Sequence, residues 1–249
     1  MRICLLIIIA FWFLPVSSQT LQVMGADEGF LPFYYGSNLN KGIFAEVINE
    51  FALEAGITAG IRPMARKRQA WALEEGLANA VFANPLWMPL PKRMHAVGPV
   101  LTWRDRVFAQ PNRKPDSYDD LQGSICLRRW FVYSDRLERR LGTDLVRHDA
   151  YNAQQMLHMF LLKRCDYIVM NDMEFRFLAL LENVNTALYN TNLIDDEWPV
   201  YLGILKTEVA LIEAAEAFFA SHTIDLEAML PKLPSPDRFI SIQPRNQGN

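Results

Sequence analysis

RQAWALEEGLANAVFAN, residues 68–84, reads as a short helix, a stop at Gly76, a polar residue, and an apolar run that ends at Asn84. AQQMLHMFLLKRCDYIVMN, residues 153–171, repeats that order: helix, turn, Asp166, apolar run, Asn171. Short apolar runs that follow helices predict strands buried on both faces, as in parallel sheets. The same unit occurs once in each half of the chain. That predicts two similar α/β lobes that face each other across a crevice lined by the carboxyl ends of their strands. Ligands of open α/β sheets bind at such ends, and Asn84 and Asn171 each sit at one.

The rest of the chain fits this frame. Strands are expected at Leu21–Gly25, Thr58–Met64, Ala80–Ala83, Val107–Gln110, Ser124–Leu127, Tyr167–Met170 and Val200–Leu205. Helices are expected at Gly42–Gly56, Arg68–Glu75, Tyr133–Leu141, residues 150–164, Asp172–Leu181 and Glu208–Ser221. In the first helix Ile43, Val47, Ile48 and Phe51 recur at helical spacing, with Gly56 as the stop. PNRKPDSYDDLQG, residues 111–123, is turn-rich and precedes the restart of the pattern. Strands alternating with helices place the chain in the α/β class.

The first residues read as an export signal. Arg2 supplies a short positive start, Ile3 to Val16 is almost wholly apolar, and cleavage is expected near Ser18–Gln19. The apolar run is shorter than the ~20 residues a spanning helix needs. The remaining roughly 230 residues are ample for a core, in one large domain or two small ones. The whole chain has 25 basic and 28 acidic residues, a mildly acidic balance that argues against a nucleic-acid partner. Cys126 and Cys165 are either a disulfide pair of an exported protein or two small buried hydrophobes. Neither lies in a zinc or redox motif. The four histidines are scattered, and no nucleophile, phosphate-loop or metal spacing is present.

Six segments, in order, resemble the type II periplasmic solute-binding proteins, and within them the family 3 group of polar amino-acid receptors. They are LQVMGADEGFLPFYY (21–35), GIFAEVINEFALEAG (42–56), ALEEGLANAVFAN (72–84), PKRMHAVGPVLTWRDRVFAQ (91–110), SYDDLQGSICLRR (117–129) and LLKRCDYIVMND (161–172). The resemblance implies a two-lobed fold, each lobe a mostly parallel sheet flanked by helices, joined by two crossover strands. The expected division is a signal at 1–18, lobe 1 at 19–107, lobe 2 at 108–201, and a return to lobe 1 at 202–249.

The resemblance also nominates site residues. Arg93 falls where the family's arginine holds a ligand carboxylate through paired hydrogen bonds, which lysine cannot copy. Asp27 and Phe30 fall on first-lobe contact positions, and Phe30 and Tyr34 are candidate stacking walls, with Phe33 read as a core member. Arg66 stands where amino-acid receptors often carry an aromatic. With Arg68 it would favour an acidic ligand. Trp87 lies in a stretch longer than the family's, which lacks the usual threonine. In LRRWFVYSD, residues 127–135, Arg129 and Tyr133 are candidates beside a helix N-terminus. Asn171 takes the position of the family's ammonium-binding aspartate, with Asp172 next to it.

The implied function is capture of a small carboxylate-bearing solute, an amino acid or related organic acid, by hinge closure. The protein would be a periplasmic monomer without cofactor, serving an ABC permease or a membrane sensor. Two other classes stand beside it: a periplasmic dehydratase-like enzyme on the same fold, and an interaction module that has lost its solute.

Overall fold

The computed structural model describes residues 19–26, 29–84 and 92–236, with Arg66 described by its backbone alone. The expected signal at 1–18, Asp27, Trp87 and the Arg66 side chain lie outside the described residues. Eight strands form one sheet in the order β2-β1-β3-β8-β4-β7-β5-β6. They are β1 (Thr20–Ala26), β2 (Thr58–Met64), β3 (Ala80–Ala83), β4 (Met94–Ala109), β5 (Gly123–Arg128), β6 (Leu145–Ala150), β7 (Tyr167–Asn171) and β8 (Asn190–Leu205). The helices are α1 (Ile43–Ala55), α2 (Arg66–Glu74), α3 (Asp135–Glu138), α4 (Ala153–Leu161), α5 (Asp172–Leu181), α6 (Val209–Ser221) and α7 (Leu226–Met229). None of the described helices is long and apolar enough to cross a membrane.

The expected parallel units are present at both ends of the sheet. β1 pairs in parallel with β2 and β3, and β5 pairs in parallel with β6 and β7. α1 buries Ile43, Val47, Ile48 and Phe51 and ends at Gly56. Gly56 adopts the left-handed conformation (φ 66°) and returns its N–H to the Ala52 carbonyl, the geometry that favours glycine after a helix. β7 is buried on both faces, and its residues alternate between two cores. Ile168 and Met170 pack with Phe108, Phe160 and Phe175, while Tyr167 and Val169 pack with Ile125, Leu127 and Leu137. A third cluster joins α1 and α6 to β1 and β8 through Leu21, Val23, Phe51, Ile204 and Phe218.

Several elements depart from expectation. β4 and β8 each run for 16 residues, far beyond the short strands expected at 107–110 and 200–205. β6 is an additional strand. The helix expected at 133–141 is a single turn, Asp135–Glu138, capped by the Ser134 hydroxyl. β4 and β8 pair antiparallel from Met94↔Leu205 to Phe108↔Asn190. β3 joins β8 only at residues 201–204, and β7 joins β4 only at 105–109. Between these points, Leu101–Arg104 and Glu197–Val200 form a bare two-stranded ribbon. Register irregularities bracket it, at Val97/Leu101 and Asp105/Arg106. Bulges at such points re-aim side chains and sharpen local twist.

Cys126 and Cys165 are joined in a disulfide, with Cα atoms 5.7 Å apart. The bond ties β5 to the turn before β7 inside the second lobe's core, where both cysteines are buried.

Candidate functional site

The carboxyl ends of β1, β3, β5 and β7 meet at a cleft of about 530 Å³ beside the ribbon. Its first-lobe wall begins just after β1. There the Ala26 N–H donates to the Tyr34 hydroxyl (3.3 Å), which fixes the loop that presents Phe30 and Tyr34. Phe30 packs against Trp103 in a tilted pair with ring centroids 5.3 Å apart. Phe33 lies beneath, 4.8 Å from the same indole and fully buried. Asn84 closes the end of β3, its amide donating to the Pro199 carbonyl (2.9 Å).

The ribbon forms the back of the cleft. On β4, Trp103 and Asp105 face inward, as residues two apart on a strand must. Their partners on β8 are Trp198 and Asp196, in a direct Trp103↔Trp198 and Asp105↔Asp196 register, and all four line the cleft. The Trp103 indole N–H donates to Asp105 Oδ1 (3.0 Å). Removal from water pushes the Asp105 carboxyl up to about 8, and repulsion from Glu174, Asp195 and Asp196 adds to the shift.

The second-lobe wall is built from β5 and α5. The Arg128 guanidinium sits over two rings, 5.1 Å from the Phe30 centroid and 4.3 Å from that of Phe131. Its Nη1 lies 3.4 Å from both carboxylate oxygens of buried Glu174. These separations are long for charged hydrogen bonds, and the other guanidinium nitrogens have no partner among the described residues. Asn171 caps α5. Its side-chain oxygen accepts from the Met173 and Glu174 N–H groups, and its amide donates to the Arg104 carbonyl (3.2 Å). Glu174 is thereby held in the first turn of α5, facing the cleft.

Of the residues nominated from the sequence, Phe30, Tyr34, Tyr133 and Asn171 line the cleft. Tyr133 accepts the Arg128 backbone N–H on its hydroxyl (2.7 Å), and burial raises its phenol well above the ordinary range. Arg93 stands elsewhere. It is exposed, beside Glu74, Glu75 and Lys92 in a shallow recess outside the cleft. Arg68 is exposed on α2 and Arg129 is exposed over the rings of Trp130 and Tyr151; neither lines the cleft. Asp172 is held by Arg106 through two bonds (2.7 and 3.0 Å) and does not line the cleft either. Trp103, Asp105, Arg128, Phe131, Glu174, Asp196 and Trp198 line it without having been singled out. Two signals were available. WRD at 103–105 and DEW at 196–198 are mirror images, as an antiparallel inward-facing pair requires. Arg128, one residue before Arg129, is in phase with the inward face of β5.

Arg128 is the single Lys, Arg or His among the described residues lining the cleft. Against it stand Asp105, Glu174 and Asp196. Aromatic faces, one incompletely bonded guanidinium and a surplus of carboxyls make a pocket suited to a small polar solute with an apolar or cationic part.

Comparison with known proteins bears on the architecture. No protein-family model and no curated protein matches the sequence. Among solved structures, the chain is similar to an ancestral cationic amino acid solute binding protein (AncCDT-1), with TM-score 0.67 and 16% identity over 86% of this chain and 94% of that one. It is similar to a histidine kinase sensor domain with similarity to periplasmic binding proteins, with TM-score 0.60 and 16% identity over 88% and 98%. It is also similar to the periplasmic VFT2 domain of BvgS from Bordetella pertussis, with TM-score 0.57 and 17% identity over 86% and 93%. At these identities the likeness establishes architecture: the chain is built on the two-lobed fold of the type II periplasmic binding proteins.

Proposed function

We propose that this chain is an exported solute-binding protein that captures a small carboxylate-bearing solute of the amino-acid class between its lobes. The observation that carries the proposal is the position of Arg128. Its guanidinium faces the cleft between rings of both lobes, with donors left over after its long pairing to Glu174. A carboxylate can take those donors in a paired geometry, so we assign to Arg128 the role expected of Arg93. Closure would occur about the bare ribbon, where the sheet narrows to two strands and no third strand stiffens them.

The structural neighbours support a binder rather than a catalyst, since their names describe a solute-binding protein and sensor domains. The sensor domains among them also support a membrane sensor as the partner, with an ABC permease as the alternative. The Cys126–Cys165 disulfide supports an oxidising compartment such as the periplasm. The test is a thermal-shift screen of the protein against amino acids and organic acids, followed by small-angle scattering of any hit. A bound solute should raise the melting temperature and shrink the radius of gyration. In Arg128→Lys, which keeps the charge beside Glu174 but loses the planar fork, affinity should fall at least roughly tenfold. Unchanged affinity would remove Arg128 from the site.

A further inference from the structure

We propose that Asp105 receives a cationic nitrogen of the solute, so that the cleft selects an amine-bearing zwitterion or cation over a plain acid. This rests on solute capture in the cleft and adds the class of solute.

Among the described residues, the ion pairs around the cleft leave Asp105 without a positive partner. Arg104 Nε is bound to Glu197 (2.6 Å), Arg106 to Asp172, and Arg128 to Glu174. Asp105 takes one neutral hydrogen bond, from the Trp103 indole to Oδ1. Among the described residues its second oxygen has neither a donor nor a cation. The residue nevertheless faces a cavity large enough for a small solute. A carboxyl so placed is costly unless a counter-ion arrives.

The walls around it suit a cation independently of charge. The protein's own Arg128 guanidinium already lies against Phe30 and Phe131, so these aromatic faces accept a positive group. Trp103 and Trp198 flank Asp105 on the ribbon with the same quality of surface. A solute that bridges the cleft can therefore set a carboxylate on Arg128 and an amine on Asp105.

Asp105 also occupies the pivot. Its backbone pairs with Asn171 of β7 and Asp196 of β8 at once, where the second lobe's sheet begins. A nitrogen held there touches the strand that joins the lobes.

The charged and titratable groups facing Asp105 are Glu174 from α5, Asp195 and Asp196 from β8, Arg128 from β5, and the Tyr133 hydroxyl from the segment after β5. The acids outnumber the one cation, and together with burial they keep the carboxyl protonated at neutral pH when no cation is present. An arriving ammonium favours the ionised form, so binding expels a proton from Asp105 and strengthens as pH rises toward about 8.

Calorimetry of the purified protein with L-lysine, 5-aminopentanoate, 1,5-diaminopentane and glutarate tests this. These probes place amine and carboxylate on comparable carbon chains. Expected are binding by at least one amine-bearing probe, no binding by glutarate, and affinity that rises several-fold between about pH 6 and about pH 8, with proton release read from buffers of different ionisation enthalpy. Asp105→Asn should weaken the amine probe at least roughly twentyfold while melting at the same or a higher temperature. Binding of glutarate alone, or unchanged amine affinity in Asp105→Asn, overturns the inference and leaves solute capture standing. Silence from all three amine probes also overturns it. Silence across a broad panel of acids and amines overturns capture itself.

Discussion

Trp103 and Trp198 stand directly opposite each other on β4 and β8, and the next inward pair along the ribbon is Asp105 opposite Asp196. Two indoles and two carboxyls thus form a square at the back of the cleft, with the indoles on the two-stranded ribbon and the carboxyls where β7 joins it. Pairs across antiparallel strands hold their side chains about 5 Å apart. The square is therefore set by backbone register.

Trp103 packs against Phe30 and Phe33 and donates to Asp105. Trp103→Phe keeps most of the stacking and loses the donor. A fall in stability of about 1 kcal/mol is expected, together with a further rise of the Asp105 carboxyl, because the indole bond is the one interaction there that favours the charged form. The Asp105 carbon resonance, followed by NMR titration, reads that rise.

Asp105 makes stability depend on pH in an unusual direction for an acid. Its folded value of about 8 exceeds the ordinary 3.8, so between these values the folded state holds more protons than the unfolded one. Stability from this group is then full below about pH 4 and is lost as pH climbs toward about 8. Asp105→Asn removes the dependence. At about pH 8 it should be more stable than the parent by on the order of 5 kcal/mol, measured by urea unfolding at several pH values. Equal pH slopes in the two proteins would contradict the shifted carboxyl.

Asp172 carries both bonds from Arg106, whose Nη1 also reaches the Thr191 carbonyl (2.7 Å) and so straps β8 to β4 below the ribbon. Asp172→Ala leaves a half-buried guanidinium without its partner. The expected loss is about 1–3 kcal/mol of stability with solute affinity nearly unchanged. Loss of affinity without loss of stability would place Asp172 in the site.

Arg93 lies exposed outside the cleft. Arg93→Ala should leave both affinity and melting temperature almost untouched, within about 0.5 kcal/mol.

The Cys126–Cys165 bond closes a loop of 39 residues inside the second lobe. Chain-entropy reasoning makes such a closure worth about 4 kcal/mol. A double alanine variant should lose most of that, and far less of the first lobe's protection in hydrogen exchange than of the second's.

Much of this fold was legible in the chain. β7 and α4 announced themselves because both faces of the strand are buried and its polar neighbours mark the ends. β4 and β8 were visible only at their buried tips. In the ribbon each strand has one neighbour and little core, so TWRDR and DDEWP carry charge and proline where a central strand would carry valine. Apolar runs are the signal of strands between other strands, and these segments have none.

The cleft was legible in part for a related reason. Phe30, Tyr34, Tyr133 and Asn171 follow strand ends that the pattern marked. Arg93 precedes β4 in a recess apart from the cleft, and Arg129 lies in the turn after β5, over the rings of Trp130 and Tyr151. Glu174 gave no local sign, and Asp105 gave one only through the mirrored WRD and DEW stretches far apart in the chain. Their meaning depends on which carboxyls are already matched to arginines, and that is a property of the assembled sheet.

The paired crossings also constrain how such a chain can diverge. A residue inserted into β4 alone would turn Trp103 and Asp105 outward while Trp198 and Asp196 stayed in place. Insertions and deletions between 101 and 105 are therefore tolerable only when matched by a compensating change between 196 and 200, so related chains should vary in length at these two places together or not at all.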